Sequence, residues 1–297
     1  MHQEDLSLRW MEIKKSWHNP MLILVLILMF VNWGIEALKW KQLLSKTQQI
    51  SFVQSFKAIL AGCTVSLITP NRIGEFGGRL IYVENQHKIK AIALSILGSI
   101  TQLFVTFLLG LIGLIFLRSE SIVNVANNTI LQFLSIDLLM GLTVVATFAL
   151  ALLLFRSSLL MNFFSRFPLL LKRLKFLSSM ERIAKKDMLR LFLLSLFRYM
   201  AFILQYLLML RLMNVQIELS IGISLIAVFY LFMAIAPTIG FIELPIRATA
   251  GVVIFGLFSS NILGIQVAMF GIWLINLVIP ALMGSVLMIN KKIIKVV

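Results

Sequence analysis

From Ala91 to Leu117 the chain passes twenty-seven residues without an Asp, Glu, Lys or Arg, and from Ile262 to Ile289 it passes twenty-eight. About 20 apolar residues, at 1.5 Å each, span the hydrocarbon of a bilayer. Uncharged runs of this length select a membrane-spanning fold, and the rest of the composition agrees. Sixty per cent of the residues are hydrophobic and 13% charged, with a mean hydropathy of +0.98. A soluble domain is about half apolar and a quarter charged, so a water-soluble globular protein is excluded. Further spans are expected at Pro20–Leu38, Ile136–Phe155 and Leu191–Met213. The first opens where Asn19 can cap and Pro20 can occupy the first turn without losing a needed N–H. Ile35-Glu36-Ala37 lacks the small residue and spacing of a cleavage site, so this span reads as uncleaved.

Charge sets the orientation. The net charge of +15 has to sit in loops facing an anionic leaflet. The segment 156–190, with nine Lys and Arg against Glu181 and Asp187, is expected to be cytoplasmic, as is the tail with Lys291, Lys292 and Lys295. The basic segment reads either as a solvated connector or as an amphipathic surface helix, since Phe163, Phe164, Phe167 and Leu170 are interleaved with its cations. The poorly charged loops at 124–128 and 259–261 are expected outside. The balance favours an N-terminus inside and eight membrane segments.

Two apolar stretches, Phe52–Thr69 and Leu219–Ala236, run into segments broken by proline and glycine. One reads Thr69-Pro70-Asn71-Arg72-Ile73-Gly74-Glu75-Phe76-Gly77-Gly78-Arg79, the other Ala236-Pro237-Thr238-Ile239-Gly240-Phe241-Ile242-Glu243-Leu244-Pro245-Ile246-Arg247. Pro70 and Pro237 are 167 residues apart; Glu75 and Glu243, like Arg79 and Arg247, are 168 apart. Ile50-Ser51-Phe52 and Ile217-Glu218-Leu219 also match at 167, which suggests a duplicated unit of helix, broken hairpin and helix. A Glu or Arg at the bilayer centre costs about 2.5–3.5 kcal/mol on insertion scales and usually faces a cavity or a partner. Glu and Arg four apart are neighbours on a helix, although Gly77-Gly78 and Pro245 argue against undistorted helices. Broken backbone at membrane depth is tolerated only where it is buried or lines water. Re-entrant hairpins would make the halves inverted and bring Glu75, Arg79, Glu243 and Arg247 together near the midplane. Full crossings, or ordinary turns at head-group level, remain the alternatives. The expected fold is thus all-α, a polytopic bundle of about seven to eight membrane segments.

Asn32 and Glu36 share one face of the first span, and Glu36 has an interfacial partner available in Lys39. Arg198, Gln205 and Tyr206 fall within one long span; Asn276 and Pro280 suggest a kink whose freed carbonyl needs a partner. Gly110 and Gly113 read as helix packing. The single cysteine, Cys63, and the scattered His2, His18 and His87 offer no disulfide or metal cluster, so no metal or cofactor is expected. No nucleophile–histidine pair or phosphate-binding glycine loop ending in Lys-Ser or Lys-Thr is present, and no soluble module for nucleic acid.

Thr69-Pro70-Asn71-Arg72-Ile73-Gly74-Glu75 with Arg79, followed by Pro237, Gly240, Glu243 and Arg247, resembles the transmembrane region of the lysylphosphatidylglycerol synthase family, the flippase-like domain of multiple peptide resistance factors. The resemblance runs from about Pro20 to Ile289 and is weaker over the second motif, whose spacing slips by one residue. It implies movement of a lipid or lipid-linked precursor between leaflets. In full-length relatives a separate soluble domain makes an aminoacylated lipid; here the chain ends at Val297, so a transporter without that catalytic domain is expected. The domain plan is an interfacial segment 1–19, a flippase-like domain 20–290 and a basic tail 291–297. Its halves, about 20–117 and 191–289, are linked by the 136–155 span and the 156–190 loop. In this reading Arg79 and Arg247 hold a lipid phosphate, Arg72 recruits it, and Glu75 and Glu243 neutralise the empty site. Arg198 is either a lipid-phosphate contact or an interfacial anchor. Gly74, Gly77, Gly78 and Gly240 give the ligand access to backbone, and Pro70, Pro237 and Pro245 fix the breaks. The expected partners are membrane lipids with anionic or phosphate head groups, in a cell inner membrane. The alternative is a non-transporting partner of a lipid-modifying enzyme.

Overall fold

The computed structural model describes residues 19–45, 47–119, 136–155, 184–236 and 240–290, and among them every regular element is helical. The expectations for the N-terminal segment, the 124–128 loop, residues 156–183 of the basic segment, Pro237 and the tail fall outside the described residues.

Helix α1, Met21–Leu44, begins as its sequence suggests, with the Met21 N–H donating to Asn19 Oδ1 at 2.9 Å and Pro20 already at helical φ. Ser51 and Gln54 form a reciprocal capping box that starts α2, Phe52–Leu67. The first break follows, then α3, Gly74–Arg79, two 3-10 turns at Leu80–Tyr82 and Asn85–His87, and α4, Lys88–Ser119. Helix α5 is Ile136–Phe155, α6 Lys185–Leu212 and α7 Leu219–Ile235. After the second break come a 3-10 turn at Gly240–Ile242 and α8, Glu243–Phe255. Helix α9, Ile262–Trp273, passes through a π turn at Leu274–Val278 into α10, Ile279–Asn290. The widened turn has a local cause: Pro280 has no N–H, and its ring would collide with the carbonyl one turn back, that of Asn276.

The Glu-to-Arg interval of each motif is helical despite its glycines or proline, within α3 and α8. Pro245 is the third residue of α8, in the first turn, where its missing N–H leaves no intrahelical bond unmade. Gly78 is required by contact: a Cβ there would lie 2.4 Å from the Ala61 carbonyl oxygen, so α3 lies directly on the α2 backbone.

Five helical stretches are long and apolar enough to cross a membrane: Met21–Leu44, Asn85–Ser119, Ile136–Phe155, Lys185–Leu212 and Ile262–Ile289. Helices α2 and α7 have 16 and 17 residues and fall short, because each ends at its break. Side chains such as Ile23, Val145, Phe148 and Leu282 lie exposed on the outside. So large an apolar exterior fits lipid as solvent.

Helix α1 packs against α6, α2 against α3 and α10, and α7 against α8 and α4. Glycines permit the last contacts. A Cβ on Gly284 of α10 would meet the Leu60 carbonyl oxygen at 2.1 Å and Thr64 Oγ1 at 2.4 Å. On α4, a Cβ on Gly113 would lie 2.9 Å from the Ser224 carbonyl oxygen and 3.1 Å from Ala227 Cβ, and one on Gly110 2.9 Å from Leu231 Cβ. Small residues at such crossings let backbones approach where lipid gives helices no hydrophobic reason to associate. Helix α5 packs on α4 at the margin, with only Thr143, Thr147 and Leu154 buried.

Candidate functional site: an arginine-lined crevice where the hairpins meet

At the first hairpin tip Thr69 Oγ1 accepts the Gly74 N–H at 2.8 Å, and the chain reverses through Asn71 and Arg72 at φ 47° and 57°. Asn tolerates the left-handed region well; Arg seldom occupies it, and such a conformation costs about 1 kcal/mol or more. The reversal aims Arg72 at the other hairpin, where Nη2 donates to both Glu243 oxygens at 2.8 and 2.9 Å. At the second tip Gly240 has φ 42°, and a Cβ there would lie 2.3 Å from the Leu67 carbonyl oxygen. The two breaks therefore touch, through one backbone approach and one ion pair.

Behind the first tip lies a sealed cluster. Arg79, whose side chain is 2% exposed, pairs with Glu75 four residues before it and donates to Glu36 Oε1 of α1 at 2.8 Å. Glu36 also holds Lys39 at 3.2 Å and Arg198 of α6 at 3.0 Å. Lys39 Nζ donates onward to the Gly98 carbonyl at 3.4 Å and Gln102 Oε1 at 3.3 Å, and the Arg79 guanidinium lies 5.5 Å from the Trp40 ring centre. Charges buried this deeply persist because each is paired and hydrogen-bonded.

The second motif is built differently. Glu243 accepts from Arg247 at 2.6 Å as well as from Arg72, so one carboxylate serves two guanidiniums. Arg247 also donates to the Tyr206 hydroxyl and lies 5.6 Å from the Phe229 ring centre.

Between the motifs opens a small crevice of about 60 Å³, continuous with the outside. Arg72, Arg198 and Arg247 share its wall with Trp33, Tyr230 and Asn276, among others. Arg198 is fixed there by Asn32 Oδ1 at 2.8 Å, by Glu36, and by the Trp33 and Phe202 rings at 5.3 and 5.4 Å. Asn276 Nδ2 reaches Gln205 Oε1 at 2.8 Å, which ties the π turn to α6. Three arginines lining one crevice offer planar donor forks of the kind that match phosphate or carboxylate oxygens.

The structure brings Arg72, Arg198 and Arg247 to the crevice with Glu243 behind them. It holds Glu75 and Arg79 apart from it, joined to Glu36 instead. The four motif charges expected to converge thus form two clusters; Arg198, paired with Glu36 and lining the crevice, stands between them. The close approaches at Gly78 and Gly240 are to the chain's own backbone and that at Gly74 to the Thr69 side chain and the Val65 carbonyl, whereas Gly77 faces open space. Pro70 opens the first reversal, its carbonyl accepting the Ile73 N–H. Glu36 does pair with Lys39, but deep in the bundle rather than at an interface, because Arg79 and Arg198 both converge on it. Glu36, Asn32, Trp33 and Tyr206 were all within reach of sequence reasoning. An acid in an apolar run needs a cation, and the motifs and Arg198 supply several. Among the described residues no group of His, Cys, Asp and Glu is placed to hold a metal ion.

No curated protein and no solved structure matches the chain. The family described as the lysylphosphatidylglycerol synthase TM region matches over residues 6–243, ending at the first charged residue of the second motif and so short of Arg247, α9 and α10. With membrane-length helices and a match over most of its residues, this multi-pass membrane protein belongs to the lysylphosphatidylglycerol synthase transmembrane-region family.

Proposed function

We propose that the chain is a lipid flippase of the cell inner membrane, without catalytic activity of its own, and that the head group passes through the arginine-lined crevice. The observation that carries this reading is the crevice itself: three arginines, drawn from the first break, α6 and α8, converge where the two broken segments touch. Helices α2 and α7 rise about 24 and 26 Å at 1.5 Å per residue, less than the roughly 30 Å of hydrocarbon. Such lengths favour hairpins that dip in and return, bringing broken backbone to membrane depth where it lines a cavity.

The matched packing supports a duplication. Leu60 and Thr64 of α2 receive Gly284 of the second half; Ala227 and Leu231 of α7 receive Gly113 and Gly110 of the first. Both pairs of hairpin positions are 167 residues apart, the offset of the sequence repeat. Each half's last helix thus closes on the other half's hairpin, as two inverted units do. On this reading there are seven or eight membrane segments, counting the hairpins, and the domain boundaries are those drawn from the sequence.

The sealed Arg79 cluster favours a second reading, in which buried charge only fastens a scaffold that recruits a lipid-modifying enzyme. Translocation of fluorescent anionic, zwitterionic and cationic lipids in proteoliposomes separates the two. The flippase reading expects one class to move with wild type and to slow at least about tenfold with Arg72→Gln or Glu243→Gln. Wild-type rates equal to empty liposomes for every lipid, with a lipid-modifying enzyme retained on the purified protein, support the scaffold.

A further inference from the structure

We infer that the crevice selects a doubly charged phosphate, a phosphomonoester or diphosphate, over phosphodiester, zwitterionic and aminoacylated head groups. This rests on reading the crevice as the head-group site and deepens it by assigning a substrate class.

Charge makes the first argument. The cationic side chains around the crevice and its sealed neighbour are Lys39, Arg72, Arg79, Arg198 and Arg247; the carboxylates they touch are Glu36, Glu75 and Glu243. Five formal positive charges face three negative ones. The surplus of two is not spread evenly. Lys39 and Arg79 balance Glu36 and Glu75, whereas the crevice wall holds three arginines against Glu243. A phosphomonoester carries about −1.5 to −2 near neutral pH, enough to balance that surplus, and a phosphodiester only about −1.

Unused donors make the second. Arg247 Nε and Trp33 Nε1 are buried and without a hydrogen-bond partner among the described residues, and both residues line the crevice. A buried donor left unpaired is costly, and an anion with three acceptor oxygens would pair these two once a local side-chain shift uncovers them. The aromatic faces point the same way. An ammonium head group favours an open aromatic face beside a free carboxylate, but Arg198 already stands over Trp33 and Phe202, and both nearby carboxylates hold two or more cations. A lysyl head group would add positive charge to a wall already in surplus.

The test is equilibrium binding of fluorescent phosphatidic acid, phosphatidylglycerol and phosphatidylcholine to the purified full chain in detergent, with inorganic diphosphate as competitor. Phosphatidic acid is expected to bind at least about tenfold more tightly than phosphatidylglycerol. Arg72→Gln and Arg198→Gln should each remove most of that preference, and Arg198→Lys should restore part of it. Should Arg198→Gln fail to insert, Arg72→Gln still decides, because its side chain is half-exposed. Competition by diphosphate assigns recognition to the phosphate alone; lipid binding that resists it assigns the acyl chains a share. Equal affinity for the three lipids, or tighter binding of the zwitterion, overturns the assignment. Phosphatidic acid that binds but does not move in proteoliposomes removes the transport reading and keeps the site. Transport of phosphatidylcholine without phosphatidic acid does the reverse.

Discussion

The two motifs carry the same Glu and Arg four residues apart, yet they end in opposite situations. Arg79 is sealed between two carboxylates, with Lys39 on the far side of Glu36. Arg247 shares a single carboxylate with Arg72 and stands in the wall of a crevice. The difference lies in the neighbouring span: α1 presents Glu36 and Lys39 to the first motif, whereas α6 presents Tyr206 to the second. Local charge balance, rather than the motif, separates the two environments. On the duplicated reading, one added acid closes off one copy of the pattern and leaves the other in a crevice wall.

The sharpest way to break this comparison is Arg79→Ala. It leaves Glu75 without its cation and takes one of three cations from Glu36 inside a buried network, and loss of one member of a buried pair costs about 3–5 kcal/mol. The expected result is a large drop in the detergent melting temperature and poor recovery of folded protein. A folded Arg79→Ala protein with normal melting would show that the first cluster is no staple.

Gly78→Ala comes next. Its Cβ would lie 2.4 Å from the Ala61 carbonyl oxygen and 2.7 Å from Gly62 Cα, both backbone, so α3 must lift off α2. Overpacking of this kind costs about 1–3 kcal/mol. The shift should displace Arg79 and Arg72 together, lowering both melting temperature and transport. Arg72→Gln sharpens the contrast from the other side. The Arg72 side chain is 41% exposed, so solvent screening limits its pairing with Glu243 to about 0–1 kcal/mol of stability. Transport and anion binding should nevertheless fall at least about tenfold. A stability loss as large as that of Arg79→Ala would make the second cluster a staple as well.

Much of this was legible in the sequence because hydropathy and local signals act within one segment. The start at Pro20 and the helix-packing role of Gly110 and Gly113 were read from neighbouring residues; the capping box at Ser51 is as local a signal but was not read from the sequence. The i, i+4 pairs were legible for the same reason. The choice of long-range partner was not. Lys39 lies within a turn of Glu36, but Arg79 and Arg198 reach it from 43 and 162 residues away, and only the packing of α1 against α6 and of α2 under α3 brings them there. The glycines misled in one respect. A glycine in a broken segment signals close approach without saying to what, and at Gly74, Gly78 and Gly240 the approach is to the chain itself, to backbone at Gly78 and Gly240 and to Thr69 and the Val65 carbonyl at Gly74.

Gly77 is the exception, and it yields the smallest prediction. It matches Pro245 at the offset of 168, and both positions are exposed on the outer side of their short helices. Nothing lies within 4 Å of a Cβ built on Gly77. Alanine restricts the unfolded chain and suits a helix better, so Gly77→Ala should leave the melting temperature unchanged or raise stability by about 0.4–1 kcal/mol. It is five residues from Arg72 but points away from the Ala61 and Gly62 backbone that Gly78 touches. If the first hairpin only fastens the fold on this side, transport is unaffected. If a passing head group slides along the α3 backbone, the added methyl narrows that path, and transport falls with no change in melting. Paired with Gly78→Ala, which should lower both readouts, this substitution tells packing from passage at adjacent residues of one turn.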